Sequence, residues 1–221
     1  MHVPLQAVVF DLDGVLIDSE QVWDQVRRDY VRSSGGRWRE DSQRVMMGMS
    51  TQEWSAYLHR ELGVGRSPED AASAVIERLA AVYGDRPPLL PGAVEAVRSL
   101  GGTYRLGLAS SSPRELIGVV LRAAGLADAF QVVISTEEIG RGKPAPDVYL
   151  EAARRLGVAP RRAAAIEDSA SGLHAAAAAG MRVLAIPNRH YPPGPEALAL
   201  ADVTLPDVAS LGPDVIAALD P

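Results

Sequence analysis

Four short polar clusters interrupt a chain that is otherwise apolar or helix-patterned, and their residue types could do chemistry. They are Asp11-Leu12-Asp13-Gly14, Ser110-Ser111-Ser112-Pro113, Gly142-Lys143-Pro144-Ala145-Pro146 and Glu167-Asp168-Ser169. Each alone has a plain structural reading beside the chemical one. An Asp-x-Asp-Gly run makes a turn, since Asp bonds its own backbone and Gly supplies a positive φ. It is no EF-hand loop, which needs further oxygen ligands and a Glu at position twelve. Ser112 reads as the cap of a helix beginning at Pro113, whereas Ser110 lies at a strand end. Lys143 reads as a loop lysine, and Ser169 as the N-cap of a following helix. Brought to one crevice, however, the clusters place several carboxylates, a hydroxyl and one ammonium together. Like charges that close are unfavourable unless a cation joins them. An all-oxygen donor set points to Mg²⁺, which takes one or two carboxylates plus phosphate and water. Metal, ammonium, hydroxyl and helix N-termini form a phosphate cradle, and an Asp carboxylate can accept a phosphoryl group covalently.

The elements on either side of these clusters are those that would bring them together. Gln6–Phe10 is an apolar run that stops at Asp11, as a strand buried on both faces would. After 90, helix and strand alternate: helix 92–100, strand 104–109, helix 113–124, strand 132–135, helix 146–156, strand 163–166, helix 170–179, strand 182–186 and a last strand near 202–205. This alternation predicts an α/β fold, a Rossmann-like doubly wound parallel sheet. In such sheets ligands bind outside the carboxyl ends of the strands, where all four clusters fall. Between 18 and 86 the apolar residues follow helical spacing with Gly-containing breaks, which predicts a small all-helical insert. Pro87-Pro88-Leu89-Leu90-Pro91 is a stiff extended return from it. The expected division is a core of residues 1–15 and 90–221, and a helical domain of residues 16–89. Asp18 is expected to cap the first helix of that insert.

Length and composition exclude several classes. For 221 residues, a main domain of ordinary size plus a small one fits better than two full domains. With 47% hydrophobic and 23% charged residues the chain has material for a core. A net charge of −6 is the wrong sign for a nucleic-acid or anionic-membrane binder. No run reaches the ~18 apolar residues of a membrane span. The first residues show no basic and apolar leader pattern, so a cytoplasmic protein is expected. It is expected to act as a monomer on a small phosphorylated metabolite. Without Cys there is no disulfide, thiolate nucleophile or Cys-type zinc site, and the four His residues have no metal-type spacing.

One count carries further meaning. Of the 22 basic residues only position 143 is Lys; the other 21 are Arg. A position that stays Lys against such a drift needs a compact ammonium in place of a planar fork, or has survived by chance. As a loop residue at a crevice mouth, Lys143 is expected to contribute little to packing.

The run Asp11–Glu20, with Ser110, Lys143-Pro144-Ala145-Pro146 and Ile166-Glu167-Asp168-Ser169, resembles the four ordered motifs of the haloacid dehalogenase superfamily. It is most similar to the β-phosphoglucomutase-like branch, which carries a helical cap after the first motif. The resemblance spans nearly the whole chain. It implies a Rossmann-like core, Mg²⁺, an aspartyl-phosphate intermediate and phosphomonoester substrates. Carried over by position, Asp11 is the nucleophile and Asp13 the acid and base, its carbonyl also on the metal. Asp168 binds Mg²⁺, with Glu167 assisting directly or through water. Ser110, the Ser111 amide and Lys143 hold the transferring oxygens.

Dehalogenases and phosphonate hydrolases of the superfamily lack the second acid present here as Asp13, and the latter need a cap Lys that residues 15–90 do not contain. Sugar phosphomutases grip a second phosphate with an Arg after a Gly-x-Ser. Here Gly48-Met49-Ser50 is followed by Thr51, and Trp23 stands where those enzymes place a His. Asp18-Ser19-Glu20-Gln21-Val22-Trp23 is similar instead to the sugar and hexitol phosphate phosphatases. Phosphatase is therefore the expected function, with mutase as the alternative. Trp23, Met49, Thr51 and Trp54 are the candidate substrate-selecting residues, with apolar core as the other reading of Met49 and, above all, of Trp54. A non-catalytic phospho-receiver also uses a strand-end Asp, a hydroxyl and a Lys, but needs neither the insert nor Asp13.

Overall fold

The computed structural model describes residues 4–46 and 49–219. Its centre is a six-stranded parallel sheet of β1 (Ala7–Phe10), β2 (Arg105–Ser110), β3 (Val132–Ser135), β4 (Ala163–Glu167), β5 (Arg182–Ala185) and β6 (Val203–Thr204). The spatial order is β3-β2-β1-β4-β5-β6. Strand side chains alternate between faces, and β1 shows the consequence. Val8 and Phe10 join one apolar cluster with Leu106, Leu108, Ile166 and Leu184. Ala7 and Val9 join a second with Ala109, Ile134, Ala165 and Val183. Both faces are covered, so every residue of β1 is buried.

Helices α1 (Glu20–Ser33), α2 (Ser42–Met46), α3 (Thr51–Leu62) and α4 (Pro68–Asp85) follow β1 directly. Then come α5 (Ala93–Gly101), α6 (Arg114–Ala123), α7 (Asp147–Leu156), α8 (Ala170–Ala178), α9 (Pro195–Leu198) and α10 (Pro213–Ala217). The α7 and α8 residues Tyr149, Ala152, Leu173 and Ala175 pack on the Val9 face. The Phe10 face carries Val97 and Leu100 of α5 and Ile117 and Val120 of α6, and this cluster continues into α1, α3 and α4 through Val26, Leu58 and Leu79.

The helical segment is bounded in sequence by two stretches that run side by side. Asp18 N–H donates to the Pro88 carbonyl at 2.8 Å, and Leu90 N–H to that of Leu16 at 2.9 Å. Capping differs from expectation at two places. Ser19, not Asp18, precedes α1, and its side chain makes no cap bond. Pro113, not Ser112, precedes α6, which leaves the Ser112 hydroxyl for another partner.

Register decides what the strand ends present. Phe10 pairs with Leu108 on one side and Ile166 on the other. Asp11 therefore leaves the sheet between the ends of β2 and β4, level with Ala109 and Glu167.

Candidate active site

Asp11, Lys143 and Glu167 form a buried ionic cluster at these strand ends. Lys143 Nζ donates to Asp11 Oδ1 at 2.8 Å, Glu167 Oε1 at 2.6 Å and the Ala109 carbonyl at 3.0 Å. The lysine side chain is only 4% exposed. This corrects the expectation of a lysine at a crevice mouth with little packing. Burial alone would pull the ammonium down, but Asp11 and Glu167 more than offset it and hold its pKa well above the usual lysine value. Glu167 is also tied by Tyr149, whose hydroxyl donates to Oε1 at 2.5 Å. Its Oε2 accepts from the Ser169 hydroxyl at 3.1 Å and the Asp168 amide at 3.2 Å. Ser169 caps α8, accepting from Gly172 N–H at 3.1 Å, as its place before the helix implies.

Two glycines admit the carboxylates. Gly14 has φ +78°, and a Cβ there would fall 1.7 Å from Asp168 Oδ2. At Gly172 a Cβ would stand 1.9 Å from the Glu167 carboxylate. Asn188, in the loop after β5, donates to Asp168 Oδ2 at 2.8 Å.

Asp13 is held differently from Asp11. Its Oδ2 accepts from Ser112 Oγ at 2.7 Å and Ser110 Oγ at 3.3 Å, while Oδ1 is buried without a hydrogen-bond partner. Ser110 Oγ in turn accepts from the Ser112 amide at 3.0 Å. Ser112 thus reaches Asp13 where a helix cap was expected.

Whether these residues fit a divalent cation can be judged from their charge. Asp11, Glu167 and Asp168 each place a carboxylate oxygen within 4.8 Å of the other two. Burial pushes the Asp11 carboxyl up to about 7, with Lys143 opposing and Glu167 and Asp13 adding repulsion. Burial, then Glu167 and Asp11, raise Asp168 well above the usual carboxylate range. A single ammonium leaves negative charge uncompensated here, and hard oxygen donors in that state suit a cation such as Mg²⁺. The Asp13 side chain lies outside that carboxylate group.

The site opens on a cavity of about 520 Å³. Asp11, Asp13, Ser111, Ser112, Lys143 and Asp168 line one side, and Trp23, Met49, Thr51 and Trp54 of the helical segment line the other. Ser110 and Glu167 are fully buried behind this lining. Thr51 Oγ1 donates to Glu137 Oε1 at 2.8 Å, joining α3 to the turn after β3. Gly48 lies outside the described residues. Reasoning from sequence missed Tyr149, Asn188 and Gly172, and it also missed Glu20 and Arg27, which line the cavity. No helix among the described residues is long and apolar enough to cross a membrane.

Fold and site define an open α/β enzyme whose carboxylates and ammonium meet at the strand ends, facing a helical segment. The chain belongs to the haloacid dehalogenase-like hydrolases, whose family model matches residues 5–180. It is 37% identical over 219 residues to hexitol phosphatase B of Escherichia coli K12, covering 96% of this chain and 97% of that one. It is 33% identical over 178 residues to the phosphorylated carbohydrates phosphatase of Thermotoga maritima, covering 80% and 82% of the two chains. Among solved structures it resembles CbbY from Rhodobacter sphaeroides in complex with phosphate, with TM-score 0.84, 28% identity, and coverage of 97% and 99%. Sheet order and family agree with the Rossmann-like expectation, and the chain is a phosphoric monoester hydrolase of this superfamily.

Proposed function

We propose that the chain is a Mg²⁺-dependent phosphatase of small sugar or polyol phosphates, working through a phosphorylated Asp11. The observation that carries this reading is the unequal treatment of the two cavity acids. Asp11 accepts through Oδ1 from the Lys143 ammonium, whereas Asp13 accepts through Oδ2 from the neutral Ser110 and Ser112 hydroxyls and keeps a buried Oδ1 with no hydrogen-bond partner among the described residues. A nucleophile needs a fixed direction, and an acid–base group needs an oxygen free to carry a proton.

In this reading an Asp11 oxygen bonds to phosphorus as the bond from phosphorus to the ester oxygen breaks. Asp13 gives its proton to the departing oxygen, so an alcohol leaves. Asp13, now a carboxylate, takes a proton from the incoming water, whose oxygen displaces Asp11. Inorganic phosphate and free Asp11 result, and Asp13 is again protonated. Lys143 and the Ser110–Ser112 loop steady the charge on the phosphoryl oxygens. Asp11, Asp168 and the Asp13 carbonyl would hold Mg²⁺, with Glu167 behind them. When bound, the metal neutralises phosphoryl charge and orients the group for in-line attack. Lys143 and Tyr149 keep Glu167 placed, and Asn188 does the same for Asp168.

The proposal includes a division of labour between a core of residues 1–15 and 90–221, which holds the phosphoryl group, and helical residues 16–89, which meet the rest of the substrate. Cytoplasmic location and a monomeric state belong to the same reading. The test is hydrolysis of phosphomonoesters with and without Mg²⁺. Activity should vanish on chelation and return with Mg²⁺, and full activity after exhaustive chelation would refute it.

A further inference from the structure

The cavity wall facing the carboxylates carries a second set of polar groups. Glu20, Trp23 and Arg27 are spaced three and four residues apart, which puts them on one face of α1, and all three line the cavity. The Arg27 guanidinium lies 4.4 Å from the Trp23 ring centroid and 5.0 Å from that of Trp54. The two indoles meet edge to face at 5.8 Å. Arg27 is only 6% exposed, yet its Nε has no hydrogen-bond partner among the described residues. On the neighbouring helix, Gln43 Nε2 donates to Glu20 Oε2 at 3.1 Å.

A buried guanidinium with an unmade hydrogen bond is costly, and here it sits in the wall of a cavity open to small molecules. Contact with two indoles inclined at 71° to one another holds it in place. Arg27 can only donate and an ionised Glu20 can only accept, whereas a hydroxyl does both. A charged group suits this wall poorly. The Arg27 charge is already answered by Glu20, and Glu20 and Asp13 repel one another, so a second phosphate would meet two carboxylates beside that guanidinium. Thr51 brings no cation, and its hydroxyl is already given to Glu137.

We infer that Glu20, oriented by Gln43, and Arg27, held against Trp23 and Trp54, form a subsite for the uncharged, hydroxyl-bearing end of a sugar or polyol monophosphate. Hydroxyls remote from the phosphate donate to Glu20 and accept from Arg27. This rests on the phosphatase reading above and names the substrate class: monophosphates with several free hydroxyls, as opposed to bisphosphates or simple aryl and alkyl esters.

The experiment compares sorbitol 6-phosphate, phenyl phosphate and fructose 1,6-bisphosphate on the full chain with Mg²⁺, for wild type and Glu20→Gln. The amide keeps the shape of Glu20 and removes its charge. The wild type should favour sorbitol 6-phosphate over both other esters in kcat/KM. Glu20→Gln should lower that preference over phenyl phosphate at least ~10-fold, the scale of one hydrogen bond to a charged group, mainly through KM. An Arg27→Lys variant, which keeps the charge and loses the planar donors, should move the same ratio in the same direction. Equal losses on both monoesters, an unchanged ratio, or better turnover of the bisphosphate would overturn the inference. Phenyl phosphate separates the two readings. If wild type hydrolyses it with no preference for sorbitol 6-phosphate, only the subsite fails. If wild type hydrolyses none of the three, both readings fail.

Discussion

Lys143→Arg keeps the charge and changes only its shape, which makes it the sharpest perturbation of the site. The lysine ammonium makes three hydrogen bonds, to Asp11, Glu167 and the Ala109 carbonyl, at 2.6–3.0 Å. Three tetrahedrally disposed protons serve three acceptors around one point, whereas a planar guanidinium cannot. One lost charge-assisted bond costs about 1.5–3 kcal/mol. The extra bulk goes into a pocket where the side chain is 4% exposed, and overpacking of that kind costs about 1–3 kcal/mol. The variant should therefore lose about 3–5 kcal/mol of stability, measured by urea denaturation at pH 7.5. Catalysis should suffer as well. Asp11 is aimed by this ammonium, and a misplacement of ~1 Å costs on the order of 10²-fold, so kcat/KM for phenyl phosphate should fall at least tenfold. Lys143→Met, which leaves two buried carboxylates without their cation, should lose about 3–5 kcal/mol. Wild-type kinetics together with wild-type stability in Lys143→Arg would refute the argument from shape.

Asp11→Asn should abolish turnover and also change how stability depends on pH. The Asp11 carboxyl is raised by burial from 3.8 to about 7, so the folded protein binds this proton more tightly than the unfolded chain. The resulting destabilisation is absent below pH ~4, grows by about 1.4 kcal/mol per unit through the window, and is complete above pH ~7. Denaturation of metal-free wild type and Asp11→Asn across this range should show a steeper slope in wild type, the remainder in the variant coming from Asp168, which burial also raises. Asp13→Asn should slow alkyl phosphates by ~10²–10⁴ and nitrophenyl phosphate much less, because only the poor leaving group needs the proton. Equal losses on both would contradict the acid role. Isomerisation of a hexose 1-phosphate should be undetectable beside its hydrolysis, since Thr51 offers no cation to a second phosphate. Robust isomerisation stimulated by a sugar bisphosphate would restore the mutase reading.

What could be read in the sequence and what could not divides along a physical line. Asp11 and Lys143 are 132 residues apart, yet both were recognisable because each follows an apolar strand of one parallel sheet. Register accounts for Asp11 and Glu167: with Phe10 opposite Leu108 and Ile166, residue 11 stands level with Ala109 and Glu167. Lys143 comes from the loop well beyond the end of β3 at Ser135 and reaches both carboxylates by its side chain. The single Lys among 22 basic residues singled out a side chain that the structure sets against Asp11 and Glu167, but its burial was invisible because loops normally stay exposed.

The residues that were missed depend on how helices pack, which no strand register dictates. Tyr149 shares its helix face with Val148 and Ala152, all buried, and so looks like core. Its hydroxyl meets Glu167 only because α7, packed on β1, β2 and β3, carries it there. Ser112 precedes a helix and resembles a cap, but the loop turns its hydroxyl to Asp13 instead. The triplet Glu20, Trp23, Arg27 did have a signal, since its spacing makes one helix face. A charged residue on such a face ordinarily reads as solvated surface, and only the indole of Trp54, brought in by α3, shows that Arg27 is buried. Strand-end chemistry is therefore legible from pattern alone, whereas a subsite assembled between helices becomes legible only when their packing is known. On the function proposed above, the first holds the group common to all phosphomonoesters and the second meets the part that distinguishes them, so reaction type is readable well before substrate.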